Sequence, residues 1–193
     1  MLDRRSFLTG AFSVPILANG TRAMAQVAIG PGVLTTLSDG NLVIPSEFTF
    51  GPMPQDQLAK LRAEFGLLGD TLSPDCNLAL FRDGEKTVLF DAGSGPDFMP
   101  SAGRLVSSLD AIGLTPEDIT HVLFTHAHPD HIWGLLDDFD DPAFPEATYL
   151  MGRAEWDYWW NPETVNTIGE ARAPFAVVAK RRMEAIEDAV EFF

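Results

Sequence analysis

Three of the four histidines in this 193-residue chain fall within six consecutive positions, His126-Ala127-His128-Pro129-Asp130-His131. Imidazole nitrogen and carboxylate oxygen are the donor types that suit zinc, and a catalytic zinc keeps one position open for water. The run follows Val122-Leu123-Phe124, an apolar stretch that reads as a strand, and a rigid element can aim the ligands that follow it. The alternative, a histidine-rich surface loop that binds nothing, fits the donor types and spacing less well. His121 stands apart: five extended residues put it ~16 Å from His126 and on the opposite face. It reads as a structural strand histidine. Cys76 is the only cysteine, so no internal disulfide can form, and without a second thiol it reads as a small buried residue.

The elements around this run can be read from periodicity and turn signals. Val33-Leu34-Thr35-Thr36-Leu37 and Asn41-Leu42-Val43-Ile44 are β-prone runs on either side of Ser38-Asp39-Gly40, which predicts a hairpin. Leu58, Leu61 and Phe65 recur at helical spacing between Pro54 and Leu67. A second hairpin is predicted from Leu78–Phe81 through Arg82-Asp83-Gly84-Glu85 to Thr87–Phe90, ending in Asp91-Ala92-Gly93-Ser94-Gly95. There glycines permit a sharp turn beside a carboxylate. Leu105, Leu109 and Ile112 mark a helix over 102–112 that Gly113 closes. Thr115 and Pro116 begin a short capped turn, Ile119 to Thr125 is a strand, and Ala147 to Leu150 another. Residues 153–160 and 172–193 read as helices, the second long and amphipathic. Hairpins followed by strands separated by helices point to a layered α+β or α/β domain, α+β being the class expected.

Residues 1–25 read as a cleavable export signal rather than as part of the fold. Arg4-Arg5 precede an apolar stretch reaching about Ala18, and Ala23-Met24-Ala25 has the small-x-small form of a cleavage site. Gly10, Ser13 and Pro15 interrupt the stretch, which falls short of the ~20 residues of a spanning helix, so no retained membrane anchor is expected. The paired arginines resemble a twin-arginine signal, although Asp3 stands where serine or threonine is common. The remaining residues, 26–193, suffice for one domain. They carry 10 basic and 27 acidic residues, a net charge of −17 after Asp3, Arg4, Arg5 and Arg22 are removed from the chain's 13 and 28. So acidic a surface repels nucleic acid and anionic membranes. The expected partner is a small-molecule substrate; composition does not give an oligomeric state.

The run His126-x-His128-x-Asp130-His131 at a strand end, preceded by a strand ending in Asp91-x-Gly93, resembles the metallo-β-lactamase superfamily. Ser38-Asp39-Gly40 and the stretch from Phe144 to Trp160, with Ala154-Glu155-Trp156, resemble its branch of exported lactonases and organophosphate hydrolases. The resemblance covers about residues 30–165 and implies an αβ/βα sandwich with one or two zinc ions at its edge. It implies that His126 and His128 hold a first metal and that Asp130 and His131 hold a second. Asp130 is also the position to which it gives a catalytic role. Asp91 would support the site from the neighbouring turn, the alternative being a carboxylate that merely caps the glycine turn. Trp133 departs from the glycine usual there, so its indole would narrow the pocket or change how the loop packs. Trp156, Trp159 and Trp160 share one helical face and read as packing rather than as a substrate cage.

A catalytic zinc generally has three protein ligands and a water, whereas this run offers two donors per metal. The superfamily supplies two later histidines and a bridging aspartate, and no histidine follows His131. The chain stops at Phe193 inside what reads as a helix. It is therefore expected to be the N-terminal half of a sandwich, with the remaining ligands downstream and negligible activity on its own. Two functions follow. One is a zinc hydrolase in which metal-activated hydroxide attacks a lactone or related ester, with a β-lactam or phosphotriester as alternative substrate. The other is an inactive metal-binding fragment. The basic, apolar and small-x-small order of residues 3–25 predicts a mature protein that begins near Gln26 in the periplasm. N-terminal sequencing of fractionated cells checks this, and an intact Met1 in the cytoplasm would refute it.

Overall fold

In the computed structural model, which describes residues 25–67 and 69–193, the backbone is organised around one mixed seven-stranded sheet. The segment read as an export signal lies outside these residues except for Ala25. The strands are β1 (Gln26–Ile29), β2 (Gly32–Asn41), β5 (Asp75–Arg82), β6 (Thr87–Phe90), β7 (His121–Phe124), β8 (Thr148–Met151) and β9 (Val190–Phe192), in that spatial order. Pairing is antiparallel from β1 to β6 and parallel from β6 to β9. A separate two-stranded ribbon pairs β3 (Ile44–Pro45) with β4 (Thr71–Leu72). The antiparallel half follows from tight turns, whereas each parallel step needs a crossover. The crossovers contain α3 (Leu105–Asp110), α4 (Pro129–Ile132), and α5 (Arg153–Trp160) with α6 (Thr164–Thr167) and α7 (Ala173–Glu184). Between β3 and β4 lie α1 (Ser46–Phe50) and α2 (Gln55–Phe65).

Most predicted elements are present. The β5–β6 hairpin turns where expected, α2 ends on Gly66 in the left-handed conformation, and α5 spans 153–160. Asp118 accepts a hydrogen bond from the Thr115 amide at 2.7 Å, closing the predicted capped turn. Two readings are corrected. The long helix over 172–193 stops at Glu184, and Val190–Phe192 forms β9, parallel to β8. Tertiary pairing with β8 overrides local helical spacing there. Ser38-Asp39-Gly40 is not a hairpin turn either. β2 runs straight through it with a bulge between Ser38 and Gly40, and the actual hairpin turns at Gly30-Pro31.

The bulge has a reason. It directs Asp39, fully buried, toward the amides of Ser94 and Leu105, each 2.8 Å from its carboxylate. Gly40, at φ +104°, lies so close to the chain at Ser101 that a Cβ would stand 2.2 Å from that carbonyl oxygen. Asp39 thus ties the central sheet to the turn after β6 and to the start of α3.

Alternation decides the core. Leu37, Leu78, Leu80, Leu89, Val122, Phe124, Tyr149 and Met151 point to one face of the sheet, and Leu105, Leu109, Trp156, Ala179 and Met183 join them in a single cluster. The other face carries Leu34, Phe81, Val88, Phe90, Leu123 and Leu150, all half-buried. Parallel strands apolar on both faces, as β7 and β8 are, are typical of sheets covered on both sides. Asp39→Ala should cost about 1–3 kcal/mol, because two interior amides lose their acceptor. Urea unfolding monitored by circular dichroism measures the loss, and Asp39→Asn, which keeps one acceptor, should lose less.

Candidate metal centre

The parallel strands β6 and β7 end side by side, with Phe90 paired to Leu123, and the chemistry-bearing residues lie just beyond, at the carboxyl ends where crevices form in such sheets. Strand alternation breaks just past β7: Phe124 and Ala127, three residues apart, are both fully buried in the core, and the more exposed His126 and His128 flank Ala127. Pro129 then starts α4, the single turn that brings Asp130 and His131 back toward them. The rings of His126 and His131 are 3.8 Å apart between centroids, and those of His126 and His128 are 4.7 Å apart. His131 Nε2 lies 3.3 Å from Asp130 Oδ2. All four predicted ligands are gathered in one place, while His121 sits at the start of β7 with Nδ1 2.7 Å from Thr120 Oγ1.

Asp91 is the centre of the arrangement. Its buried carboxylate accepts from the Thr125 amide (2.7 Å) and the Thr125 hydroxyl (2.8 Å), and pairs with His131 Nδ1 (2.8 Å). It does not cap the glycine turn. Its backbone is left-handed at φ +67°, a conformation that costs a non-glycine residue energy but that aspartate tolerates better than most. The two loops are further joined through Ala92 N to His131 O (2.7 Å) and Gly134 N to Gly93 O (2.9 Å). Gly134 must lack a side chain there, since a Cβ would lie 2.2 Å from Ala92 O.

Electrostatics divide the donors. Burial holds His126 and His128 below their ordinary pKa, so both are neutral, with a lone pair free to bind metal. For His131, burial opposes the charged form, but the hydrogen bonds and charges of Asp130 and Asp91 outweigh it and push the imidazole up to about 9. Asp130 is lowered; burial acts against its charge, and the His131 hydrogen bond prevails. Burial, with Asp130 and Asp39 adding to it, pushes the Cys76 thiol up to about 11, in keeping with an inert buried cysteine.

The donor set fits a metal in type and in its clustering, but it forms a partial shell. Among the described residues, no group of three or more His, Cys, Asp or Glu side chains is arranged to hold an ion by itself. Residues not foreseen as part of the centre also support it: Thr125 on Asp91, Asp39 beneath the glycine turn, and Glu155, which accepts from the Ala127 amide at 3.0 Å. Glu155 and Asp39 each carried a faint signal, as parts of Ala154-Glu155-Trp156 and Ser38-Asp39-Gly40, but neither stretch indicated the partner it would meet.

Trp133 changes how the loop packs rather than lining the adjacent cavity. Its ring meets Phe98 edge-on at 4.9 Å and Phe175 at 6.5 Å, with the Arg182 guanidinium 5.2 Å above it. Arg182, itself buried, donates Nε to Trp133 O at 2.8 Å. Phe98 and Phe175 in turn line a cavity of about 340 Å³ that reaches His128 and Asp130. Trp156 and Trp159 are buried in the helix packing, as their spacing indicated.

A sequence model of the Metallo-beta-lactamase superfamily matches residues 74–172, just over half of the chain and all of the loops described above. The chain belongs to this superfamily. Metallo-beta-lactamase domain-containing protein 1 of Xenopus laevis is 31% identical over 118 residues, which are 61% of this chain and 45% of that protein. N-acyl homoserine lactonase AttM of Azorhizobium caulinodans is 30% identical over 70 residues, 36% of this chain and 24% of the relative. Among solved structures, AidC, a dizinc quorum-quenching lactonase in complex with a product, superposes with a TM-score of 0.77 at 24% identity, covering 88% of this chain and 60% of AidC. The hydrolase AbOPH superposes at 0.75 and 23% identity, covering 91% and 62%. At these identities the two structures establish the shared fold. The chain spans less than half the length of the two curated relatives.

The His131 shift has a measurable consequence. A histidine raised from 6.5 to about 9 adds stability that is fully present below pH 6.5 and is lost as pH rises through about 9. Asp130, lowered, adds stability above the ordinary carboxylate range that is lost on acidification. The metal-free protein, kept so by chelator, should therefore show a falling unfolding temperature between pH 6.5 and 9. Asp91→Asn should flatten that decline; an unchanged slope would show that the pair does not exist in solution.

Proposed function

We propose that this protein is a zinc-dependent hydrolase acting on a lactone or related ester that carries an apolar acyl chain. The observation that supports this reading best is the cavity beside the centre. Leu42, Ile44, Phe48, Phe98, Met99 and Phe175 give it apolar walls, and His128 and Asp130 lie among its lining. An acyl chain seated there would bring its carbonyl group toward the donor cluster, and burial of apolar surface at roughly 25 cal/mol per Å² would supply the affinity. Arg172, also in the lining, has its guanidinium over the Phe48 ring at 5.4 Å and offers N–H donors to a carbonyl oxygen. The names of AidC and AttM, both lactonases, favour the same substrate class.

His126 and His128 would hold one zinc and Asp130 and His131 another, as the matching superfamily positions imply. Zinc, when bound, supplies Lewis acidity and an activated water. Asp91 fixes the His131 ring through Nδ1 and leaves Nε2 as the ligating atom, the usual arrangement for a carboxylate-supported histidine. Asp130 presents its carboxylate at the cavity, where it can receive a proton from the attacking water. Acting on such a substrate after export, as residues 1–25 suggest, is part of the same proposal.

The donor count favours a second reading, in which the chain binds metal without turnover, because a catalytic zinc generally has three protein ligands. Purified protein loaded with zinc separates the two. Against the negligible activity expected from the donor count, the hydrolase reading as proposed expects ring opening of N-acyl homoserine lactones, abolished by chelator and faster than hydrolysis of a β-lactam or a phosphotriester. Zinc uptake with no turnover of any of the three substrates would select the second reading. Metal content should fall in alanine variants of His126, His128, Asp130 and His131 and stay unchanged in His121→Ala. Equal loss in His121→Ala would overturn the ligand assignment.

A further inference from the structure

We infer that Glu155 is a positioning residue that sets the geometry of the His126–His128 pair from the neighbouring strand–helix unit. Phe124, the last residue of β7, is paired in register with Met151, the last residue of β8. Three residues past Phe124 is Ala127, and four past Met151 is Glu155, in the first turn of α5. The adjacent strand ends therefore bring the helix's carboxylate against the histidine loop.

A single oxygen, Glu155 Oε1, accepts two hydrogen bonds, from the Ala127 amide at 3.0 Å and from Trp159 Nε1 at 2.5 Å. The first fixes the peptide group between the two histidines, and with it the orientation that lets both rings face outward. The second fixes the indole of Trp159, one turn further along α5, whose ring meets the His128 ring edge-on at 5.7 Å between centroids. Backbone and ring are thus held from one atom. Trp159 is buried, so its indole cannot swing away without unpacking α5.

The fold does not depend on this contact. β7 and β8 are joined by four paired positions, and α5 is anchored to the sheet through buried Trp156, which meets Phe192 of β9 edge-on at 5.3 Å. Removing the carboxylate leaves those interactions intact and frees the His126-Ala127-His128 backbone. Outer partners that orient metal ligands commonly change metal affinity by about 10–100-fold when they are removed. The link to metal rests on the ligand assignment proposed above; the link to loop geometry does not.

The test compares Glu155→Ala and Glu155→Gln in the whole chain, with Trp159→Phe as a third variant that keeps the ring and removes its N–H. Two quantities are read: hydrogen exchange at the Ala127 amide in metal-free protein, and zinc affinity by competition with a chromogenic chelator. In Glu155→Ala the amide should exchange faster, as for a locally opened loop, and zinc affinity should fall about 10–100-fold. Glu155→Gln retains an acceptor oxygen and should restore both to near the wild-type values. Trp159→Phe should keep Ala127 protected and lose less affinity than Glu155→Ala. Wild-type exchange and affinity in Glu155→Ala would overturn the inference, as would a glutamine variant no better than alanine. If the wild-type protein takes up no zinc, the ligand assignment falls, and Ala127 exchange still decides whether Glu155 holds the loop.

Discussion

A carboxylate buried at the end of a strand organises the chemistry of this protein. Asp91 occupies a left-handed backbone conformation and satisfies its charge with the Thr125 amide, the Thr125 hydroxyl and the His131 ring. A buried carboxylate without such partners would be costly; with them it joins the turn after β6 to the loop after β7. The remaining features at that edge are consequences. The raised pKa of His131, the close approach of Gly134 to Ala92 and the gathering of three imidazoles all require the two loops to stay in this relation.

Three further residues hold the two loops in place. From below, Asp39 fixes the glycine turn through Ser94 and the start of α3 through Leu105. From the side, Glu155 holds Ala127. From behind, Arg182 holds the Trp133 carbonyl and stacks on its ring. Trp133 also backs Phe98 and Phe175, so the segment that presents the metal donors supports the wall of the apolar cavity as well. Donors and cavity therefore belong to one packed unit, the pre-organisation that binding a substrate in a defined pose requires.

Superfamily membership and donor geometry bear on function in different ways. Membership accounts for the fold, the strand-end position of the site and the histidine run. The geometry adds that the donors within this chain form a partial metal shell. Among the described residues, no helix is long and apolar enough to cross a membrane, and the lactone reading rests on the apolar cavity and on the relatives rather than on the donors themselves.

What the sequence determined by itself was local. Donor types at His126, His128, Asp130 and His131, the hairpin at residues 78–90, the helix at 153–160 and the isolation of His121 follow from spacing and turn chemistry, which act over a few residues. The tertiary structure decided the rest, because it depends on partners far away in the chain. Asp39 looks like a turn residue until its amide partners, 55 and 66 residues away, come into contact with it. The end of the predicted long helix becomes β9 because β8 offers it a parallel edge. Glu155 is one acidic residue among 28 until the pairing of β7 with β8 sets it against the peptide between two histidines. Periodicity encodes which face of an element is apolar; it does not encode which distant backbone donor a carboxylate will meet.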